Sequence, residues 1–168
     1  MKKIGVISDT HGYLDPRVGE YFSACDEIWH AGDFGPGDMI APLENQAPLR
    51  GVYGNIDGQA IRSRFPEYLH FSVEDVSVLM IHIGGYPGHY SPRVKELMTT
   101  IRPKLMVCGH SHILKVVYDE KFQCLTMNPG AAGRSGWHKV RTLLRFTIDG
   151  GIMKDLEVIE LGPRSAGV

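Results

Sequence analysis

The chain is divided by short apolar runs, each giving way to glycine or a polar turn, and a residue able to bind a metal ion stands at or just past each break. The run Lys3-Ile4-Gly5-Val6-Ile7-Ser8 leads to Asp9 and His11, Glu27-Ile28-Trp29-His30 to Asp33, and Leu49 to Tyr53 to Asn55. Val76 to Ile81 leads to His82, and Lys104-Leu105-Met106-Val107-Cys108-Gly109 to His110 and His112. Short continuous apolar runs of this kind read as buried strands. The donors are therefore expected to project from one sheet edge into one site.

The order of elements narrows the fold. Asp15-Pro16 sets an N-cap residue before a proline at the first helical position, and Val18, Tyr21 and Phe22 follow at helical spacing, which predicts a surface helix near 16–25. Asp38 is expected to cap a second helix over 39–46, between the strands near 27–30 and 49–53. Strand, helix, strand, helix, strand argues for a parallel sheet with crossover helices. Tyr68 to Val73 and Val76 to Ile81, joined through Glu74-Asp75, then read as an antiparallel hairpin. Ser91-Pro92 starts another helix that must stop before Pro103. Leu114 to Tyr118, Gln123 to Met127, Val140 to Thr147 and Met153 to Leu161 add four more β-rich runs. That is too many strands for one doubly wound sheet, so two packed sheets with helices outside are expected, in a single domain over residues 1–168.

A composition of 43% hydrophobic and 22% charged residues is that of an ordinary globular protein. A net charge of −1 gives no bulk attraction to long nucleic acid or to anionic lipid. The N-terminal apolar run is about four residues, short of the roughly 7–15 of a secretory leader, and nothing approaches the ~20 of a membrane span. Cys25, Cys108 and Cys124 are an odd count, widely spaced in apolar surroundings, which suits reduced thiols. The expectation is a cytoplasmic protein without a membrane partner.

Imidazole and carboxylate donors suit borderline to hard divalent ions, with manganese the leading choice and iron, cobalt, nickel or zinc as alternatives. Seven N/O donors exceed what one tetrahedral ion takes and match two ions of higher coordination. In an extended segment, Asp9 and His11 would lie on the same side of a strand end, because side chains alternate with period 2. His110 and His112 repeat that spacing, and a turn there sends the two imidazoles toward different ions. Paired cations lower the pKa of bound water and clamp the attacking and leaving oxygens of a displacement, and phosphate esters gain most from both effects.

Taken in order, Asp9-Thr10-His11, Gly32-Asp33, Gly54-Asn55-Ile56-Asp57, His82 and Gly109-His110-Ser111-His112 resemble the calcineurin-like metallophosphoesterase superfamily, closest to its small bacterial and archaeal phosphodiesterase branch. The likeness spans roughly residues 4–130, including the turn Asn128-Pro129-Gly130. It implies a four-layer α/β/β/α sandwich of two mixed sheets flanked by helices. It also implies that Asp9, His11 and His112 hold one metal, that Asn55, His82 and His110 hold the other, and that Asp33 bridges them. The implied activity is hydrolysis of a small phosphodiester or nucleotide-like substrate by metal-activated hydroxide attacking phosphorus, with no phosphoenzyme. Homo-oligomers are common among such relatives. Many carry histidine where this chain has Ile56, which cannot transfer a proton, so leaving-group protonation needs another source. Phe34-Gly35-Pro36-Gly37 after Asp33 departs from the arginine-bearing protein phosphatase pattern. A phosphomonoesterase using the same site is one alternative. Another is an assembly scaffold, as the retromer's small subunit is, though here no ligand position is lost.

His89, in the loop Gly84 to Tyr90, is the nearest sequence candidate for the missing acid, which must reach the oxygen it protonates. That loop reads equally as a cover for substrate or as a contact with a neighbouring subunit. Asp57 reads either as a residue that fixes a ligand or its loop, or as plain turn chemistry. His30 reads as structural or as support to a ligand, and His70 and His138 as surface or packing residues. Arg134, Lys139, Arg141 and Arg145 read as a solvated strand face, with a substrate-phosphate contact from Arg134 as the sharper alternative.

Overall fold

The structure, a computed structural model, describes residues 1–165. Strands β1 (Lys2–Ile7), β2 (Glu27–His30) and β3 (Leu49–Gly51) run parallel, and β9 (Val140–Asp149) and β10 (Ile152–Pro163) extend this sheet antiparallel beyond β1. The second sheet is built from β4 (Tyr68–Val73), β5 (Val76–Ile81), β6 (Leu105–Val107), β8 (Cys124–Pro129) and β7 (Leu114–Asp119), in that spatial order. Its inner strands β5, β6 and β8 are parallel, and its edges β4 and β7 are antiparallel to their neighbours. The helices are α1 (Val18–Tyr21), α2 (Ile40–Glu44), α3 (Gln59–Arg62) and α4 (Pro92–Ile101).

Alternation along the strands builds the layers. Ile4, Val6 and Trp29 of the first sheet meet Val78, Met80, Leu105 and Val107 of the second in the central core. Residues one position away face outward: Ile7 and Ile28 pack on Val18, Phe22 and Leu43, whereas Leu79, Ile81 and Met106 pack on Val94 and Met98. Helices, sheet, sheet and helix therefore stack as four layers, as the resemblance implies. Trp29 anchors the centre, edge-on to Phe71 at 5.1 Å and to Phe146 at 5.7 Å. Each such aromatic pair adds about 0.5–1.5 kcal/mol beyond area burial.

The strand order and the hairpin agree with the sequence reading. So does α4, whose Ser91 Oγ accepts from Val94 N at 3.2 Å and which ends at Arg102 in the left-handed conformation, ahead of Pro103. The first two helices are shorter than expected. Asp15 does not cap a helix over 16–25: its Oδ1 accepts from Arg17 N at 2.9 Å in a turn, the guanidinium groups of Arg17 and Arg141 hold its carboxylate, and the helix covers only Val18–Tyr21. Asp38 caps nothing and sits in a 3-10 turn, Gly37–Met39, that leads into α2. Helix α3 has no counterpart in the sequence reading, and β3 stops at Gly51 rather than running to Tyr53. Arg141 does not lie on a solvated face: it is 4% exposed and donates to Asp15 and to the Leu161 and Pro163 carbonyls. Arg145 likewise donates to Tyr21 O and pairs with Glu157.

Candidate metal centre

The carboxyl ends of β1, β2, β3, β5 and β6 deliver the seven donors to one edge, as parallel strands do in open α/β sheets. The local geometry differs from the extended one expected of Asp9 and His11. Strand β1 stops at Ile7, and Asp9 and His11 adopt left-handed backbone with φ of 54° and 46°. Asp33, His110 and His112 do the same, at 58°, 72° and 61°. This conformation costs an L-residue roughly 1–2 kcal/mol. Tertiary hydrogen bonds hold it: Asp9 N donates to Gly32 O and His11 N to Asp33 O, both at 3.0 Å, and Gly133 N returns to Asp9 O at 3.0 Å. Gly54 permits the closest approach, since a Cβ there would collide with the Asp33 carboxylate.

The donors gather around Asp9 and Asp33: Asp9, His11 and His112 form one close set and Asp9, Asp33 and His82 another, with Asp9 Oδ1 also 3.8 Å from His82 Nε2. Asp9 Oδ1 lies 3.2 Å from His112 Nε2 and 3.8 Å from His11 Nε2. Asn55 Oδ1 lies 3.1 Å from His82 Nε2 and 3.0 Å from His110 Nδ1. Asp33 Oδ2 stands between them, 3.3 Å from His11 Nε2 and 3.2 Å from His82 Nε2. Ligand bonds of about 2.0–2.2 Å set adjacent donors of one ion roughly 3 Å apart, which these spacings fit. Among the described residues, the buried atoms Asp9 Oδ1 and His11 Nε2 have no hydrogen-bond partner. Such orphans need an explanation, and a cation between them supplies one.

The remaining atoms of the donors are fixed from behind. Asp9 Oδ2 accepts from Ser8 Oγ at 2.7 Å and from His110 N at 3.1 Å, which turns Oδ1 into the site. His82 Nδ1 donates to Ala31 O at 2.7 Å, so Nε2 faces Asp33. The Asp57 carboxylate accepts from Asp33 N at 2.9 Å, Gly35 N at 3.0 Å and Gly54 N at 2.8 Å, tying two donor loops together. Buried His30 accepts from Gly32 N through Nδ1 and donates through Nε2 to Thr10 Oγ1, which donates to Phe34 O. Burial pushes its imidazole down to about 3, so it is neutral.

Electrostatically the site is arranged for positive charge. Burial opposes ionisation of Asp9, yet His11, His112, His82 and the Ser8 hydroxyl outweigh it and hold the carboxyl well below the usual range. Asp33 behaves alike: burial is overcome by His11 and His82. The nearby carboxylates of Asp33 and then Asp9 raise His11 to about 9. Burial works against His82, but Asp33 and Asp9 still push it up.

A family model described as the calcineurin-like phosphoesterase superfamily domain matches residues 1–151. The chain belongs to that superfamily. A probable metallophosphoesterase of Methanothermobacter thermautotrophicus is 31% identical over 137 residues, covering 76% of each chain. Among solved structures, an archaeal phosphodiesterase superposes with a TM-score of 0.75 at 22% identity, over 95% of this chain and 99% of the other. Vps29 of Entamoeba histolytica complexed with Zn2+ gives 0.70 at 15% identity, over 94% and 98%. At these identities the two likenesses are of fold. The superfamily and the α/β/β/α sandwich expected from the motifs are both borne out.

The other sequence candidates lie around this centre. Ile56 is 47% exposed, and its N–H donates to Asp33 Oδ1 at 3.1 Å. His89 is exposed and tilts against Tyr86 at 4.5 Å, while Lys115 Nζ sits 3.7 Å over the same Tyr86 ring. Arg134 is exposed, lies 3.8 Å over Tyr13 and donates to its hydroxyl. His138, read as surface or packing, meets the His112 ring edge-on at 5.2 Å and anchors to Gly133 O at 2.8 Å. No motif in the sequence marks that contact. His70 bonds Ser77 Oγ on the hairpin, away from the centre. All three cysteines are buried, and burial pushes Cys108 and Cys124 up to about 12. No helix among the described residues is long and apolar enough to cross a membrane.

Proposed function

We propose that the chain is a dinuclear, divalent-metal-dependent phosphodiesterase acting on a small phosphodiester or nucleotide-like substrate. The observation that carries this reading is the Asp33 carboxylate oxygen standing between His11 and His82, with Asp9 and His112 on one side and Asn55 and His110 on the other. Two cations held there, manganese first among the candidates, would lower the pKa of a water and neutralise charge building on phosphoryl oxygens.

The chain's own residues have distinct roles in this proposal. Asp9, His11 and His112 would hold one ion, Asn55, His82 and His110 the other, and Asp33 both. Asn55 directs Oδ1 toward His82 and His110, so its amide N–H is free to donate to a phosphoryl oxygen. Asp57 keeps the Asp33 and Asn55 loops in register and touches no reacting atom. Exposed Arg134, held on Tyr13, offers its guanidinium to substrate phosphate. Ile56 supplies no proton, so substrates with easily departing groups are favoured unless His89 or another acid reaches the leaving oxygen.

The test is metal analysis of the purified chain, coupled to hydrolysis of an activated phosphodiester with added Mn, before and after chelation. Turnover that disappears with chelation and returns with Mn is expected. Bound metal without turnover would instead favour a scaffold. The scaffold reading accounts for the fold likeness to Vps29, whose Entamoeba histolytica structure holds Zn2+, so turnover and not metal binding separates the two. Matched activated mono- and diesters on one preparation separate diesterase from monoesterase.

A further inference from the structure

A cleft opens beside the centre, and Asn55 and His82, both candidate ligands, form part of its wall. It holds about 340 Å³, at the lower end of the ~300–1,000 Å³ usual for small-molecule sites. The rest of the wall comes from three separate segments. Tyr53 follows β3, Ile81 and Ile83 flank His82 at the end of β5, and Val94 belongs to the first turn of α4. The surface between them is apolar, and Ile83 leaves 47% of itself exposed one residue after a metal donor. Arg62 lies 4.3 Å over the Tyr53 ring, which fixes that ring at the cleft.

The polar rim decides what kind of group enters. Arg93 grips Glu67 through Nε–Oε1 at 2.8 Å and Nη2–Oε2 at 3.1 Å, so its charge is already matched, and among the described residues lining the cleft no other arginine or lysine awaits a second phosphate. What remains is hydrogen-bonding capacity: spare lone pairs on the Glu67 carboxylate, and the Ser91 hydroxyl proton, since Ser91 Oγ accepts from Val94 N. A flat apolar body with N–H and acceptor groups along one edge suits that combination.

Resting on the reading of the centre as a phosphodiesterase site, we propose that this cleft takes one organic substituent of the diester and selects a nucleobase-like planar aromatic group over an aliphatic one. The base would lie against Tyr53 and Ile83, its edge toward Glu67 and Ser91, with the phosphate at Asn55 and His82. Stacked bases commonly contribute enough to change affinity by tenfold or more.

The experiment compares adenosine 5′-monophosphate with ribose 5-phosphate as ligands of the Mn-loaded full chain by titration calorimetry, because the second carries a hydroxyl where the first carries the base. Wild type should prefer the adenosine compound by roughly tenfold, and Ile83→Asp should bring the ratio close to one. Because the ratio is internal to each protein, general destabilisation does not mimic the result, and Ile83→Ser reads the same ratio if the aspartate variant melts early. Equal affinities in wild type, or a preference that survives both variants, would overturn the proposal. Wild-type turnover of methyl p-nitrophenyl phosphate tests the phosphodiesterase reading separately. A protein that hydrolyses that ester yet binds both monophosphates alike retains the activity and loses the cleft assignment.

Discussion

Asp57 offers the sharpest test of how the centre is held, because a single buried carboxylate satisfies three backbone donors. Oδ2 accepts from Asp33 N and Gly54 N, and Oδ1 accepts from Gly35 N. In Asp57→Asn the best orientation of the amide keeps its oxygen on the first pair and turns its NH2 toward Gly35 N–H, donor against donor. One bond is lost with its donor stranded, at about 1–3 kcal/mol, and the other two lose their charge assistance, a further ~0.5–1 kcal/mol each. The sum is roughly 2–5 kcal/mol, against about 5–15 kcal/mol for a whole domain. At this chain length each kcal/mol shifts the melting temperature by about 2–4 °C, so Asp57→Asn should melt some 5–15 °C early. Urea unfolding and thermal melts of the metal-free proteins measure this. Both metal affinities should also fall, because Asp33 and Asn55 sit on the loops that Asp57 ties together. A variant that melts within about 2 °C of wild type would refute the account.

Three further expectations follow from the same geometry. Asp33→Asn should weaken both metal sites, read by metal content per chain after dialysis; loss of only one ion would contradict the bridging role. His89→Ala should steepen the dependence of rate on leaving-group pKa if His89 delivers the leaving-group proton, and an unchanged slope removes it from the mechanism. Asp15 titrates low because Arg17 and then Arg141 outweigh its burial. A depressed folded-state pKa contributes stability above the unfolded value of about 3.9 that is lost as pH falls. Melts of wild type and Asp15→Asn should therefore converge below about pH 4, and a gap that widens there would reverse the sign.

The donors were legible in the sequence because residue type, order and position after a strand are all local properties. Asp9, Asp33, Asn55, His82 and His110 each follow a run whose burial is set by its own side chains. What was not legible depends on partners far along the chain. Arg141 reads as a surface cation until folding brings Asp15, 126 positions away, against it. His138 meets His112 only because the segment after β8 folds back over Asp9, through Gly133 N to Asp9 O. The cleft of Tyr53, Ile83 and Val94 is assembled from three segments with no shared periodicity. Helices α1 and α2 are shorter than a cap residue and helical spacing suggest, because those local signals are a weak prior that tertiary context overrides.

The backbone of the donors carries the remaining lesson. Among the described residues nine non-glycine positions have positive φ, and five of them are Asp9, His11, Asp33, His110 and His112. At about 1–2 kcal/mol each, the strain approaches the stability of the entire domain, so the surrounding packing and hydrogen bonds must impose it. A centre strained in this way is preformed, and the metal-free chain should keep its fold. His110, exposed and with φ of 72°, isolates the effect, because His110→Gly and His110→Ala both delete the imidazole and differ only in the Cβ. Glycine escapes the left-handed penalty but adds unfolded-chain entropy worth about 0.4–1 kcal/mol, which leaves it ahead by roughly 0.5–1 kcal/mol. In metal-free melts the glycine variant should therefore unfold a few degrees above the alanine variant, the reverse of the order in a helix. If alanine is equal or better, the left-handed geometry is not being imposed on the ligands, and the argument for a preformed centre fails with it.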